Sequence, residues 1–433
     1  MRQTVSVAFG LALALPASAG TLTTLYTFGG GADGANPIAG LIAGAGGALY
    51  GTTSGGNGTV YSLTPSNGGW TFSTLYSFTG GADGSFPENL TADSSGALYG
   101  VADTGGLFNG TCLANGTDAG CGTVFKLTPP SGGSGPWTFS VLYTFTGGAD
   151  GSSPAGGVVP DGAGGLLGFT AGRFTCAMGA CGTVFRLTPP QGGQGPWTEQ
   201  TIASFTGGTD GAFVGMFGPP VLGANGDILG VTGSGGNMTN PHCSMFGGCG
   251  LVFALHQQGG AWRKHDLHVF SGSDGDNPIG GLYQDGAGNL FGATNEGGRQ
   301  TTCQPSGFPS GCGVIYALLP DGEGGWQFQL VHRFSNGRDG GYPYSAPIAA
   351  GAGALWQTAS GDEVTDFGTI DKLVPPSGGA GAWHAHTAFT FTNDANSCNP
   401  TGSLVRVGGS LYGVTYGAGT GPAPYGTVFA FTP

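Results

Sequence analysis

The stretch Trp137-Thr-Phe-Ser-Val-Leu-Tyr-Thr-Phe145-Thr-Gly-Gly-Ala-Asp150-Gly151 decides the fold. It runs on through Asp161 to Gly165-Leu166-Leu167-Gly168, passes a loop bracketed by Cys176 and Cys181, and closes on Gly182-Thr-Val-Phe185-Arg-Leu-Thr-Pro189. Short apolar or alternating runs, separated by Gly, Asp and Pro, read as strands joined by turns. The unit then returns along the whole chain. The Phe before the turn recurs as Phe28, Phe78, Phe145, Phe205, Phe270, Phe334 and Phe391. The turn Asp recurs as Asp33, Asp83, Asp150, Asp210, Asp274 and Asp339, and loosely as Asp394. The Gly opening the last run recurs as Gly58, Gly122, Gly182, Gly250, Gly313, Gly368 and Gly426. Seven copies spaced by roughly 50 to 67 residues mark a repeat architecture.

Each copy holds four strand-like runs, here called a to d. In the copy containing Asp33 they fall at 38–43, 48–53, 59–64 and 70–78. Four antiparallel strands repeated seven times predict an all-β protein, a seven-bladed β-propeller. A lone d run (21–28) stands at the start and a lone c run (426–432) at the end. The N-terminal strand is therefore expected to complete the last blade, beside the runs near Leu404, Leu411 and Val428, leaving no open edge. An open solenoid would need capping repeats, and none is seen.

Composition supports this. Of 433 residues 94 are Gly, a density that weakens any helix interior. Gly does not fall at every third position, which excludes collagen. Regularly placed Phe, Leu, Val and Trp supply a core, which a disordered linker lacks. The formal net charge is -13, with 11 Lys and Arg against 24 Asp and Glu. That balance repels phosphate backbones and offers no basic patch, so neither nucleic acid nor a membrane surface is expected as partner. A monomer is expected.

The first residues, Met-Arg-Gln, lead into an apolar run from Val5 to Leu15 and then Pro16-Ala17-Ser18-Ala19-Gly20. This predicts a signal peptide over 1–19, cleaved after Ala19, and an exported seven-repeat domain over 20–433. No C-terminal anchor is expected after Pro433. Eight of nine Cys form local pairs, Cys112/Cys121, Cys176/Cys181, Cys243/Cys249 and Cys303/Cys312. In an exported chain these read as disulfides. Zinc would need four ligands, and no His set completes them. Cys398 is left over, as a free thiol or an intermolecular one.

The segment Leu75-Tyr-Ser-Phe-Thr-Gly-Gly-Ala-Asp83-Gly, then Leu98-Tyr99-Gly100 and Gly122-Thr-Val-Phe125-Lys-Leu-Thr-Pro129, resembles the Gly-rich tandem repeat of exported bacterial proteins named the GloVer repeat, after Gloeobacter and Verrucomicrobia. The resemblance implies an exported β-repeat protein. It implies no reaction.

Most recurring residues read as structure. One carboxylate per Gly-Gly-x-Asp-Gly turn is too few for calcium, which wants six or more oxygens. An Asx turn explains the Asp better, so no cofactor is expected, with calcium the one ion left open. Trp70, Trp137, Trp197, Trp262, Trp326 and Trp383 recur too regularly for a sugar platform and read as packing between blades. His268 and His332 stand where other copies have Tyr26, Tyr76 and Tyr143.

Function is sought where the repeat is broken. In the sixth copy Trp356-Gln357 replaces the usual Tyr-Gly, Asp371 replaces an aromatic, and the loop adds Asp362, Glu363 and Asp366. In the second copy Glu88-Asn89 replaces the small pair Ala39-Gly40, where it can face the central funnel. Arg173 and Arg299 are rare cations in b–c loops, which vary most. Variable loops on a rigid scaffold are where binding sites sit. Two readings follow. One is a non-catalytic module that binds an extracellular polysaccharide or protein on the b–c loop face, with Trp356, Gln357, Glu363, Arg173 and Arg299 as contacts. The other is a polysaccharide hydrolase or lyase using Asp362, Asp366, Asp371 or Glu88 as acid or base.

Overall fold

The computed structural model describes residues 20–433, apart from 115, 134, 174–175, 177–180, 194, 241–242, 244–246, 299–302, 304–310, 362–366, 379–380, 393–397 and 418–422. The signal-peptide expectation therefore lies outside the described residues. Seven antiparallel sheets form the blades of a β-propeller. Blade 3 is the plainest: strands Pro154–Pro160, Leu166–Thr170, Thr183–Thr188 and Thr198–Ser204 follow one another from a to d. Blade 7 takes Pro400–Val407, Ser410–Thr415 and Thr427–Thr432 from the C-terminus and its fourth strand, Thr21–Thr27, from the N-terminus. Thr21 pairs with Thr432 and Thr27 with Thr427, so the ring closes as expected.

The recurring Phe is the anchor of each blade. Phe28, Phe78, Phe145, Phe205, Phe270, Phe334 and Phe391 are all buried. Each donates its backbone N–H to the Gly carbonyl that opens strand c of the same blade, as Phe145 does to Gly122 at 3.0 Å. The aromatic on strand c packs against a glycine on strand b. Gly168 pairs with Phe185, and a Cβ on Gly168 would stand 2.3 Å from that ring. The expected packing role of Trp also holds. Trp137 of blade 2 meets Tyr50 of blade 1 edge-on at 5.8 Å, and Trp70 of blade 1 meets Tyr412 of blade 7 in the same way.

The turn Asp is a structural hub. Asp33 accepts the Gly29 N–H at 2.7 Å and the Tyr26 hydroxyl at 3.0 Å; Asp83 and Asp150 do the same with Tyr76 and Tyr143. His268 and His332 reach Asp274 and Asp339 from the tyrosine position, at 2.9 and 3.1 Å. His268 stacks on Phe328 of the next blade at 4.1 Å, as Tyr26 stacks on Phe72. Burial pushes Asp33 and Asp83 up, but these hydrogen bonds outweigh it and hold both below the ordinary carboxylate range.

Strand a departs from expectation. In blade 1 it is only Ile42–Ala43, not 38–43, and in blade 2 it splits into Ser85–Pro87 and Thr91–Ala92. The cause is that its middle leaves the ladder to reach other blades. The Gly40 N–H donates to Asn89 Oδ1 of blade 2 at 3.1 Å, and the Gly156 N–H of blade 3 donates to Glu88 Oε2. Before the kink, each blade enters through one residue of positive φ: Asn36, Phe86, Ser153, Phe213, Asn277, Tyr342 and Asn399, all between 55° and 58°. Each donates its N–H to the carbonyl of the residue before strand c of the preceding blade. That residue is the second Cys of a disulfide at four junctions, Cys121, Cys181, Cys249 and Cys312. All four predicted pairs are bonded. The disulfides thus stiffen the seams between consecutive blades from 2 to 6. Cys398 is buried and belongs to none of these disulfides. Its burial contradicts the intermolecular reading; it fills the slot held by Ala35, Ser85 and Ala212 just before the positive-φ residue. No helix among the described residues is long and apolar enough to cross a membrane.

Candidate functional site at the channel mouth

The start of strand a and the end of strand b lie at the same face, where the d–a and b–c connections emerge. Two residue columns meet there. One follows the blade-entry residue by two: Ile38, Glu88, Ala155, Gly215, Ile279, Tyr344 and Thr401. The other is the residue after the last strand b pair with strand c: Ser54, Asp103, Ala171, Gly233, Asn295, Ser360 and Tyr416. Between them lies a cavity of about 450 Å³. Its walls include Phe217, Tyr342, Tyr344 and Tyr416, and among its polar groups are Glu88, Asn295, Glu296, Asn399 and Thr401. This is the size and the mix of apolar wall and few polar groups usual for a ligand site.

Two of those residues are buried with side-chain amide atoms left unpaired among the described residues. Asn295 is 6% and Asn399 3% exposed. Asn295 Nδ2 and both side-chain polar atoms of Asn399 make no hydrogen bond among the described residues. A buried polar atom left unpaired costs on the order of 1–3 kcal/mol, so a hydroxyl entering the cavity would gain by pairing with these amides. Asn89 is the contrast. It accepts from Gly40 and donates to the carbonyls of Gly156 and Phe217, at 3.3 and 3.0 Å, tying blades 1 to 4 together.

A side cavity of about 190 Å³ shares Ile38, Glu88 and Phe217 with the first and adds Asp103 and Arg173. Arg173 Nη1 stands 3.4 Å from Asp103 Oδ2. Glu88 and Asp103 are each 7% exposed. Burial pushes the Glu88 carboxyl up, the Asp103 charge pushes it further, and Arg173 and the Gly156 N–H pull back; the balance stands at about 8. Burial likewise raises Asp103 above its ordinary value, against the pull of Arg173. Burial and the Asp103 charge thus favour the protonated form of Glu88, beside the Asp103–Arg173 pair.

Of the residues singled out in the sequence, Glu88 and Arg173 come together here. Asp371 goes elsewhere. It is fully buried within blade 6, where its carboxylate accepts the hydroxyls of Thr369 and Thr387, at 2.5 and 2.7 Å. It pairs in register with Gln357, whose Nε2 donates to the carbonyls of Ser345 and Thr358. Trp356 is also buried, edge-on to Phe431 at 5.9 Å, with Lys372 Nζ over its ring at 5.5 Å. None of these three lines either cavity. Asp362, Glu363, Asp366 and Arg299 lie outside the described residues. Asp103, Asn295 and Asn399 were missed. Writing the seven copies in columns would have flagged Asp103, the one carboxylate among Ser, Ala, Gly, Asn and Tyr. No group of three or more His, Cys, Asp or Glu that could hold a metal occurs among the described residues.

No curated protein matches the sequence. Among solved structures, the PQQ-bound aldose sugar dehydrogenase of Streptomyces coelicolor is similar at 13% identity and a TM-score of 0.47, over 96% of this chain and 99% of that one. A luciferin-regenerating enzyme is similar at 11% identity and 0.43, over 96% and 95%. A puromycin hydrolase variant is similar at 13% and 0.49, over 90% of this chain but 52% of that one. Likeness at this level carries no functional weight. Residues 102–304 match the Gloeobacter/Verrucomicrobia repeat, and the chain as a whole is a seven-bladed β-propeller-like repeat protein.

Proposed function

We propose that the protein is exported and binds a saccharide end at the mouth of its central channel, without cleaving it. The observation that carries this reading is that Asn295 Nδ2 and both amide atoms of Asn399, buried and unpaired among the described residues, line a cavity walled by tyrosine and phenylalanine. Aromatic faces suit the C–H faces of a sugar ring, and amides suit its hydroxyls. Four disulfides support an oxidising compartment, reached by a leader cleaved after Ala19. The test is calorimetric titration of the mature protein with neutral and amine-bearing oligosaccharides, with reducing ends assayed in the same samples. Binding without new ends is expected, and Asn399→Ala should weaken it about tenfold or more. Saccharide binding that is indifferent to Asn399→Ala would remove the site, and no binding would turn the search to a protein partner on the loop face.

A second reading is a glycoside hydrolase or lyase. One observation favours it: two buried carboxyl groups, Glu88 and Asp103, line one cavity, and burial raises both above their ordinary values, the setting from which an acid/base pair is built. New reducing ends in the same assay, lost in Glu88→Gln, would establish it.

A further inference from the structure

We infer that the channel-mouth site selects a saccharide carrying a free amino group, whose ammonium pairs with the Glu88 carboxylate. This rests on the saccharide reading above and names the class of saccharide. The starting point is charge. Glu88, Asp103 and Glu296 line the joined cavities, and Arg173 is the one cation among their described lining residues. Arg173 is committed to Asp103. Among the described residues, the Glu88 carboxyl accepts the Gly156 N–H, on Oε2. A buried carboxylate without a cation is costly, and a protein meets that cost by keeping the group protonated. A cation delivered by the ligand meets it better, because the carboxylate then gains a charge-assisted hydrogen bond.

The placement fits such a ligand. Glu88 belongs to the walls of both cavities, so a group reaching it from the larger one stays in contact with the ring of tyrosines and amides. Asn295 and Asn399 are the independent sign that this space expects a polar occupant. The charged groups acting on Glu88 are Asp103, which disfavours its ionised form, and Arg173, which favours it. An ammonium beside Glu88 acts as Arg173 does, so binding at neutral pH must expel the proton into solvent. That release is a signature that neutral sugars bound by the same amides would lack.

The experiment is isothermal titration of the wild-type mature protein at pH 7 with three β-linked disaccharides: the chitosan disaccharide, its N-acetylated form, and cellobiose. Each is run in two buffers of different ionisation enthalpy. The inference predicts at least tenfold tighter binding of the free amine, with release of between about half a proton and one proton per ligand. The other two should release none. Glu88→Gln, close to isosteric, should bring the three affinities within about threefold while its near-ultraviolet circular dichroism stays native. Equal binding of all three without proton release would overturn the inference and leave the saccharide reading standing. Preference for the amine without proton release would remove Glu88 from its role. No binding of any of the three would count against both, and the Asn399→Ala comparison with longer oligosaccharides would then decide the saccharide reading on its own.

Discussion

Blades 2 and 6 both break the repeat with acidic residues, and they do so in opposite ways. In six blades a strand b glycine faces a strand c aromatic: Gly51 with Tyr61, Gly100 with Phe125, Gly168 with Phe185, Gly230 with Phe253, Gly292 with Tyr316 and Gly413 with Phe429. In blade 6 both partners change together, to Gln357 and Asp371. The volume lost at one position is regained at the other, and the carboxylate is satisfied by two threonine hydroxyls. In blade 2 the Gly100–Phe125 pair is intact, and the acids Glu88 and Asp103 are placed at the channel mouth instead. Their compensation comes from Arg173 of blade 3 and from a retained proton. A departure answered by its own neighbour repairs packing; one left incomplete beside a cavity points to a ligand.

The comparison can be broken most severely in blade 6. Asp371→Phe should cost about 2–4 kcal/mol, because the ring meets Gln357 and the hydroxyls of Thr369 and Thr387 lose the carboxylate and keep only the Asp339 and Arg338 carbonyls. Adding Gln357→Gly restores the arrangement of the other blades and should recover at least half of that loss in denaturant unfolding. A double variant no more stable than Asp371→Phe would mean that the pair does not compensate.

The smaller effect sits in blade 2. Below the unfolded carboxylate pKa of about 4.3 both states hold the Glu88 proton. As pH rises toward about 8 the unfolded chain releases it while the folded chain keeps it, so stability is lost across this window. Glu88→Gln removes the titration. Its melting temperature relative to wild type should therefore rise between pH 5 and 8 and level off above. Asp276, pushed up to about 7 by burial, contributes the same trend to both proteins and cancels in the difference. A difference that is flat with pH would show that Glu88 is ionised in the fold, and blade 2 would lose its contrast with blade 6.

The sequence made the ring readable because the repeat is local. A Phe, an Asp turn and a Gly-opened strand recur with each blade, and each reports a contact within its own blade or with the next, such as Tyr26 on Asp33 or Trp137 on Tyr50. The channel was less legible because its walls come from many blades, a few residues from each. Glu88 stood out as a charge in a small-residue slot, and Arg173 as a rare cation. Asn295 and Asn399 did not, since Asn is an ordinary turn residue and only burial without a partner sets these two apart. Strand a was drawn too long for the same reason: the hydrogen bonds that break it, from Gly40 to Asn89 and from Gly156 to Glu88, join different blades.

The most direct test of the central claim is a crystal structure of the mature protein grown with a saturating chitosan oligosaccharide. The account predicts a sugar ring in the 450 Å³ cavity, with a hydroxyl on Asn399 or Asn295 and the ring against Tyr344 or Phe217. An empty channel mouth, with the saccharide bound instead on the outer blade surface, would contradict it.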